Sequence, residues 1–338
     1  MKKSLLALAV LASFASAASA QSSVTLFGGV DLNLRYAKSS GATLKTMGTD
    51  GIYSSRWGVR GVEDLGGGLK AGFWLEAAIN PDAGTTNAAR YWHRRTSVSL
   101  TGDFGEVRLG RFLTNQFTAY LDFDPFGTVG VGSVSKMHHV LGSGVSSDVR
   151  ADNIVGYFLP GNLGGIYGSA EVAAGEGAAT DGNKYVGVRL GYKAGPLDVT
   201  GAFANGKAPV SNFKRTTFGG SYDLGVAKLT GVYTQSKWQA RKNTVMQIGA
   251  LVPVGSSGTF KASYTSSNVN SAAEASTFGD AKQLAVGYIH DLSKRSALYG
   301  TFSRVSNSGK ANIGVSGSPA VKAGQASSGF EVGVKHTF

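Results

Sequence analysis

The sequence predicts an all-β fold, namely a 16-stranded antiparallel transmembrane β-barrel whose third long loop folds into the bore. Three observations favour this fold. The composition, with 49 glycines, 13 tyrosines, 17 phenylalanines and only 7 prolines, suits turns and strands better than helix interiors. Apolar and polar residues alternate along many segments. The connections between these segments are alternately short and long, as in barrels that cross an outer membrane.

The N-terminal residues 1–20 have the three parts of a cleaved secretory signal. A basic head at Lys2 and Lys3 precedes an apolar middle and a small-residue exit, Ala18-Ser19-Ala20. A membrane anchor is disfavoured because the apolar stretch is short and interrupted by serines. We therefore expect an exported mature chain, residues 21–338, that forms a single barrel domain.

The composition of the mature chain narrows the class further. Without the signal, 31 basic residues stand against 21 acidic ones, and there is no cysteine to form a disulfide. No later run is apolar enough for a spanning helix, which leaves a soluble β protein or a closed barrel. A soluble chain of this length would usually divide into domains, and a propeller would repeat a blade motif. Neither a linker nor a repeat is found, so a barrel is favoured.

Alternation with a period of two is the main evidence for strands. Near the C-terminus, Phe330 and Val332 fall on one face and Glu331 on the other. The segment Tyr185 to Lys193 repeats the pattern and puts Arg189 on its polar face. Such segments are typical of strands with one apolar and one wet face.

The connections give the strand count and the orientation. Seven tight turns and eight longer loops join sixteen strands, a number that can enclose water instead of a packed core. We expect short periplasmic turns and long extracellular loops. The turns are predicted at Leu65–Gly68, Asp103–Gly105, Pro160–Gly164, Gly195–Pro196, Asp223–Gly225, Val254–Gly258 and Leu292–Lys294. The loops are predicted near Ser39–Asp50, Asn80–Arg90, Thr114–Arg150, Gly175–Gly182, Gly206–Asn212, Gln239–Lys242, Val269–Asp280 and Asn307–Ser328.

The third loop, residues 114–150, is the longest connection. A segment of this length without regular structure is unusual in a compact domain and is usually functional. Its middle, Tyr120 to Gly127, carries two acids, Asp122 and Asp124. We expect this loop to fold into the bore and to set the width and charge of a pore.

Alternation also selects the basic residues that face the bore. Arg35 falls opposite the apolar face of the first strand, and Arg56 and Arg60 fall opposite that of the second. On the fourth strand Val98 faces lipid, which turns Arg95 inward. A pore needs no catalytic group, only an aqueous path whose charges favour some solutes.

Other site chemistries are poorly supported. The glycine-rich stretch Gly127 to Lys136 lacks the spacing of a phosphate-binding loop. The pair His138-His139 has no carboxylate at helical spacing, and Asp122 and Asp124 lack the calcium-loop pattern. The arginines are spread over strands, and no recognition helix for nucleic acid is visible. We expect no metal, no cofactor and no nucleic-acid partner.

Five segments carry a family resemblance: Ser55 to Gly72, Phe104 to Arg111, Arg150 to Tyr157, Leu292 to Tyr299 and Gly333 to Phe338. They resemble the trimeric general porins of Gram-negative bacteria, especially the betaproteobacterial and neisserial branch. The first segment is similar to the second and third strands with their glycine turn, and the next two are similar to the strands around loop three. The resemblance covers essentially the whole mature chain.

The resemblance implies a homotrimer of barrels in the outer membrane. Loop three would fold into each bore, and the loop Asn80–Arg90 would reach a neighbouring barrel. The final Phe338 would be the assembly signal for the outer membrane. The family position also puts Arg150 near the constriction.

Matched to the family pattern, Arg56, Arg95 and Arg150 would form a basic ladder on the barrel wall. Asp122 and Asp124 would face this ladder across the bore. Guanidinium groups attract anions over a Debye length, roughly 8 Å at physiological salt. We therefore expect passive diffusion of small hydrophilic solutes and ions, with a preference for anions.

Three alternatives remain at this point. The same arginines could form a substrate-selective channel for phosphate or small organic acids. Some could be solvated rim charges or could bind the phosphates of lipopolysaccharide, an expected partner together with outer-membrane lipid. A barrel enzyme of the outer membrane is less favoured, because the five scattered histidines form no convincing catalytic set. We expect the chain not to be an enzyme.

Overall fold

The computed structural model describes residues 23–175 and 184–338. The predicted signal, residues 1–20, lies outside the described residues, as does most of the predicted loop Gly175–Gly182. Within the described ranges, no helix has the length and apolar character needed to cross a membrane.

Sixteen antiparallel strands form one barrel, which β1 and β16 close by pairing with each other. Each of the other strands pairs with its two neighbours in sequence, which confirms the predicted all-β fold. The strands are β1 (Ser23–Ser39), β2 (Ala42–Thr49 and Arg56–Gly66), β3 (Leu69–Asn80), β4 (Arg95–Gly102), β5 (Gly105–Leu113), β6 (Arg150–Phe158), β7 (Ile166–Ala173), β8 (Tyr185–Ala194), β9 (Leu197–Gly206), β10 (Phe213–Asp223), β11 (Lys228–Trp238), β12 (Arg241–Val254), β13 (Gly258–Val269), β14 (Ala281–Asp291), β15 (Ser296–Asn307) and β16 (Ser327–Thr337).

Strand β2 is interrupted, and both of its parts pair with β1. At the break, the buried carboxylate of Asp31 accepts hydrogen bonds from the backbone N–H groups of Ile52 (2.8 Å) and Tyr53 (2.9 Å). These bonds replace the strand pairing that the break removes. The second loop contains a two-residue strand, Thr85–Thr86, that pairs with β3.

The faces of the strands follow the predicted alternation. On β8 the side chains of Val188 and Leu190 are exposed on the outer surface, whereas the side chain of Arg189 is only 10% exposed and faces inward. On β16, Phe330 and Val332 are exposed and Glu331 is fully buried. The outer face of the barrel is therefore apolar and the inner face is polar, the reverse of a soluble β protein.

Two of the predicted long loops are in fact tight turns. The segment Ser39–Asp50 continues the pairing of β1 with β2 up to a turn at Ser40-Gly41. The segment Gln239–Lys242 is a two-residue turn, because the pairing of β11 with β12 continues to its last residues. Polar composition suggested loops here, but cross-strand pairing continues through both segments almost to the turn residues.

The third loop turns into the barrel immediately after β5. It begins with the helix α1 (Asn115–Leu121) and includes a 3-10 turn, Ser135–Met137. A second short helix, α2 (Ser271–Glu274), lies in the loop between β13 and β14 and is capped by Asn270.

Helix α1 packs against the inner wall through Phe117 and Tyr120, which cluster with Phe123 and Val232. The wall accepts the loop because it carries glycine at two points of close approach. A β-carbon at Gly219 would lie 2.5 Å from the ring of Phe123, and one at Gly249 would lie 2.4 Å from Pro125. Glycine is therefore required at both positions.

The rest of loop three is anchored along the same half of the wall. The N–H of Val131 donates to the carboxylate of Glu331 on β16 (3.0 Å). The carbonyl of Met137 accepts from the side chains of Asn243 on β12 (2.8 Å) and Ser267 on β13 (3.1 Å). At the start of the loop, the N–H of Asn115 donates to the carboxylate of Glu171 on β7 (2.9 Å). The loop thus lies along the wall from β7 to β16.

Candidate pore constriction

Two cavities lie in the bore, one of about 440 Å³ and one of about 360 Å³. Four residues line both: Arg56, Arg94, Leu113 and Arg150. The passage between the two cavities therefore lies at these side chains. Loop three forms the opposite side, with Asp122 lining the larger cavity.

The larger cavity is strongly basic. Six arginines and three carboxylates line it, and their formal charges sum to a positive value. These residues are Arg56, Arg94, Arg95, Arg108, Arg150 and Arg189, together with Glu76, Asp122 and Glu171.

Glu76 on β3 holds part of the arginine cluster in place. Its carboxylate accepts from Arg94 Nε at 2.6 Å and lies 3.5 Å from Arg56 Nη1. The indole N–H of Trp74 donates to its other oxygen at 3.0 Å. Arg56 also donates through Nε to the hydroxyl of Tyr53 (2.8 Å). Glu76 thus fixes two guanidinium groups and balances the charge of one.

Arg95 and Arg150 differ from the other arginines of this cavity. Neither lies within 4 Å of a carboxylate of the described residues. The guanidinium of Arg95 lies 4.4 Å above the ring of Trp74, and its Nε donates to Ser97 (2.9 Å). Arg150 donates through Nε to the carbonyl of Arg94 (2.8 Å). Neutral groups position both side chains, so their positive charges stay available to solutes.

Asp122 follows α1 and forms an ion pair with Arg189 on β8 (2.7 Å). Its side chain is about half exposed, at 49%, whereas that of Arg189 is 10% exposed. Asp122 therefore shares the cavity with the predicted ladder of Arg56, Arg95 and Arg150, but its direct partner is Arg189.

The interpretation of Asp124 as a bore-facing acid is wrong. Its carboxylate is buried and accepts from the backbone N–H groups of Phe126 (3.2 Å) and Thr128 (2.7 Å) and from the amide of Gln247 on β12 (3.0 Å). Burial raises its pKa, although these hydrogen bonds oppose the shift. Asp124 closes a turn of loop three against the wall and lies outside both cavities.

Two predicted constriction arginines also lie outside both cavities. Arg35 on β1 forms a 2.8 Å ion pair with Glu331 on the adjacent β16, and both side chains are largely buried. Arg60 stacks on the ring of Phe27 (5.4 Å) and on that of Trp74 (5.0 Å). Alternation identified their inward direction correctly, but their positions along the strands separate them from the constriction.

Sequence reasoning missed three arginines of the cavity wall, Arg94, Arg108 and Arg189. Alternation puts Arg189 on the polar face of its strand, because its neighbours on β8 face outward, but it does not show that this residue lies at the level of the cavity. Arg108 lies inward on β5, paired with Glu106 at 2.7 Å. Arg94 precedes β4, so a strand pattern gives no indication of its direction.

The final part of loop three is held by buried basic groups. Arg215 on β10 is fully buried, forms an ion pair with Asp148 and donates to the carbonyl of His138 (3.1 Å). The ring of His138 stacks on Tyr120 at 3.9 Å. Burial lowers the pKa of His138 well below its usual range and lowers that of His139 to about 4. Both imidazoles are therefore neutral at physiological pH.

The comparisons with known proteins agree with this geometry. The family model described as "Gram-negative porin" matches residues 7–310. The chain belongs to the Gram-negative porin family. It is a channel protein of the outer membrane, as the sequence predicted, and the relatives it matches are porins and not enzymes.

Individual relatives of this porin match most or all of its chain. Outer membrane porin protein 32 of Delftia acidovorans is 38% identical over 359 residues, with 100% of both chains covered. An outer membrane porin protein of Bordetella pertussis is 31% identical, with 88% of this chain and 93% of the relative covered. The solved structure of an anion-selective porin from Comamonas acidovorans has a TM-score of 0.87 and 36% identity, covering 94% of this porin and 100% of that chain.

The porin has no evident metal site in the described part of the chain. No group of three or more His, Cys, Asp or Glu side chains is arranged there to hold an ion. Its terminal Phe338 exchanges two backbone hydrogen bonds with Gly28 on β1 (3.1 and 3.0 Å). The side chain of Phe338 is exposed on the outer face.

Proposed function

We propose that this porin prefers anions and lets small hydrophilic solutes and ions diffuse passively across the outer membrane. One observation carries the proposal: the guanidinium groups of Arg95 and Arg150 line the larger cavity of the bore, and no carboxylate of the described residues lies within 4 Å of either. The other four arginines of the cavity have acids nearby to offset part of their charge. The likeness to an anion-selective porin supports the same conclusion.

The selectivity is an electrostatic bias and not a tight binding site. The larger cavity has room for a hydrated ion of modest size. An anion that enters it therefore keeps most of its hydration shell and does not bind the wall tightly. Fixed charges in such a bore act over a Debye length of roughly 8 Å at physiological salt. The preference should therefore be strong in dilute salt and weak in concentrated salt.

Three further properties belong to the proposal. Residues 1–20 are removed on export, and Phe338 directs assembly into the outer membrane. The functional unit is a homotrimer in contact with outer-membrane lipid and lipopolysaccharide. In support of a trimer, Tyr91 and Trp92 of the second loop cluster with the outward-facing Trp57 of β2, with ring centroids 4.9 to 6.5 Å apart. Such an exposed aromatic surface suits contact with a neighbouring barrel.

Recordings in planar lipid bilayers test the proposal. Under a potassium chloride gradient, the reversal potential should have the sign of anion preference and should fall as the mean salt concentration rises. Insertion events should appear as triplet conductance steps. A cation-selective reversal potential would contradict the proposed selectivity, and single conductance steps would contradict the trimer.

A further inference from the structure

The smaller cavity of the bore differs from the larger one in its lining. Its charged side chains are Arg56, Arg94 and Arg150, and no carboxylate of the described residues lines it. Transmembrane barrels usually have a polar interior, so aliphatic groups beside these cations depart from the expected lining. The apolar residues that line the smaller cavity are Ile52, Leu113, Phe117, Leu121, Val129 and Val149.

Three of these residues, Leu113, Leu121 and Val149, form an apolar wall beside loop three. Each packs with one side against the cluster that contains Phe117 and Tyr120. All three are only partly buried, so the other side of each remains open to the cavity. The packing of loop three accounts for the buried sides only. The open sides expose apolar surface to water, and an apolar group that covers them is bound favourably.

The apolar wall lies directly beside the arginines. Leu113 on β5 pairs in register with Arg150 on β6. Residues directly opposite each other on neighbouring strands have β-carbons about 4.5–5.5 Å apart and lie on the same face of the sheet. The guanidinium of Arg56 also adjoins apolar surface, because it lies 4.3 Å from the centre of the Tyr53 ring. A ligand in the smaller cavity can therefore contact a cation and the apolar wall together.

The smaller cavity lies on the long-loop side of the passage. The larger cavity reaches Leu159 and Gly168, which lie next to the short turn between β6 and β7. Because the two cavities meet at the passage, the smaller one lies on the opposite side, toward the long loops. A solute that enters from the long loops therefore meets the apolar wall before it reaches the larger cavity.

We propose that the smaller cavity is a weak selectivity site for monocarboxylates that carry a compact apolar body, such as cyclohexanecarboxylate. The carboxylate lies against Arg150 and the ring against the apolar wall. A planar guanidinium matches a carboxylate, to which it can donate two parallel hydrogen bonds. The cavity volume of about 360 Å³ is near the lower end of the range for small-molecule pockets, which suits a compact ligand. The inference rests on the proposed function, because the anion must first be attracted into the bore.

Hydrated inorganic anions and hydroxylated acids fit this cavity less well. The same guanidinium groups attract them, so charge alone does not separate them from an apolar acid. Their water or hydroxyl groups would lie against Leu113, Leu121 and Val149, whose side chains offer no hydrogen bond. The apolar wall therefore adds a discrimination between anions of equal charge. Binding stays weak, since a solute that is conducted must also leave.

The test compares two anions with the same charge and the same ring, cyclohexanecarboxylate and its tetrahydroxy derivative quinate. Each is added to the porin in a planar bilayer in potassium chloride, and the concentration that halves the conductance is measured. Burial of about 60 Å² of ring surface strengthens binding roughly tenfold, so cyclohexanecarboxylate should act at a roughly tenfold lower concentration. The ratio should persist in about 1 M salt, because screening weakens the attraction of both charges equally and leaves apolar burial unchanged.

The double variant Leu121→Asn, Val149→Thr makes the apolar wall polar with little change in size and none in charge. The ratio of the two blocking concentrations should fall to about threefold or less, because less ring surface is covered by apolar groups. The control Leu159→Asn makes the same kind of exchange in the larger cavity and should keep the wild-type ratio. An unchanged ratio in the double variant, or an equal fall in the control, would overturn the assignment to the smaller cavity.

Heat-dependent migration on gels reports whether the double variant forms the barrel. If it does not, Leu113→Asn changes a single side chain at the passage and should lower the ratio to about half; an unchanged ratio would overturn the proposal.

The two proposals fail in different ways. A cation-selective reversal potential in potassium chloride would overturn the proposed function. Equal blocking concentrations of the two acids in an anion-selective pore would overturn only the site for apolar monocarboxylates, because the two acids carry the same charge.

Discussion

Replacement of Arg150 by Gln should lower the anion preference by an amount that follows from the size of the bore. A sphere with the volume of the larger cavity has a radius of about 5 Å, and at that distance two unit charges in water interact by about 0.8 kcal/mol. A Debye length of roughly 8 Å reduces this energy to about 0.4 kcal/mol. Loss of one charge then lowers the anion concentration about twofold and the anion-to-cation ratio about fourfold.

The assay is the reversal potential of the Arg150→Gln variant in a planar bilayer at low and at physiological salt. In dilute salt screening disappears, and the change in the ratio should rise to roughly fifteenfold. Arg295→Gln removes the same charge from the exposed turn between β14 and β15 and should leave the reversal potential unchanged. If Arg150→Gln keeps the wild-type reversal potential at both salt concentrations, the assignment of Arg150 as an unpaired constriction charge is wrong.

Three further predictions concern loop three and its partners. Asp122→Asn frees Arg189, so the reversal potential should shift toward greater anion preference, while stability changes by only about 0–1 kcal/mol because the acid is half exposed. Arg215→Met removes the buried cation that anchors the end of the loop, so the free energy of unfolding should fall by about 3–5 kcal/mol and the melting temperature should fall with it. An unchanged melting temperature would contradict the role of Arg215 as an anchor. The pKa of His139 is about 4 in the docked loop and near 6.5 when released, so the released loop binds more protons and docking weakens from pH 6.5 to pH 4. Conductance fluctuations should therefore increase as the pH falls over this range, and the increase should be smaller in the His139→Gln variant. Protonation of Asp124, whose pKa is raised by burial, acts in the opposite direction.

The sequence alone predicts most of the side-chain directions on the wall of the bore. A period of two gave the inward direction of Arg56 and Arg95, because direction depends only on the neighbours along one strand. It also contained the ion pair of Arg35 with Glu331, since both residues face inward on the first and last strands. Barrel closure makes those strands neighbours. The pairing itself also depends on the register of closure, which no single strand encodes.

Loop three was predictable in place but not in detail. Its position after β5 and its length indicated a functional loop, and it does lie in the bore. The burial of Asp124 depends on contact with Gln247, more than a hundred residues away, and on the space left by Gly249. No local pattern encodes such contacts, so an acid at the wall and an acid at the bore look the same in the sequence. Asp122 and Asp124 are only two residues apart and have different environments.

Arg95 and Arg150 give the larger cavity of the bore an excess of positive charge, and the proposed selectivity depends most on this excess. The direct measurement is the reversal potential of the double variant Arg95→Gln, Arg150→Gln beside the wild type in the same dilute potassium chloride gradient. The wild type should be clearly anion-selective, and the double variant should be nearly non-selective with a conductance of similar size. Anion selectivity that survives in the double variant, or a wild-type pore that prefers cations, would contradict the claim.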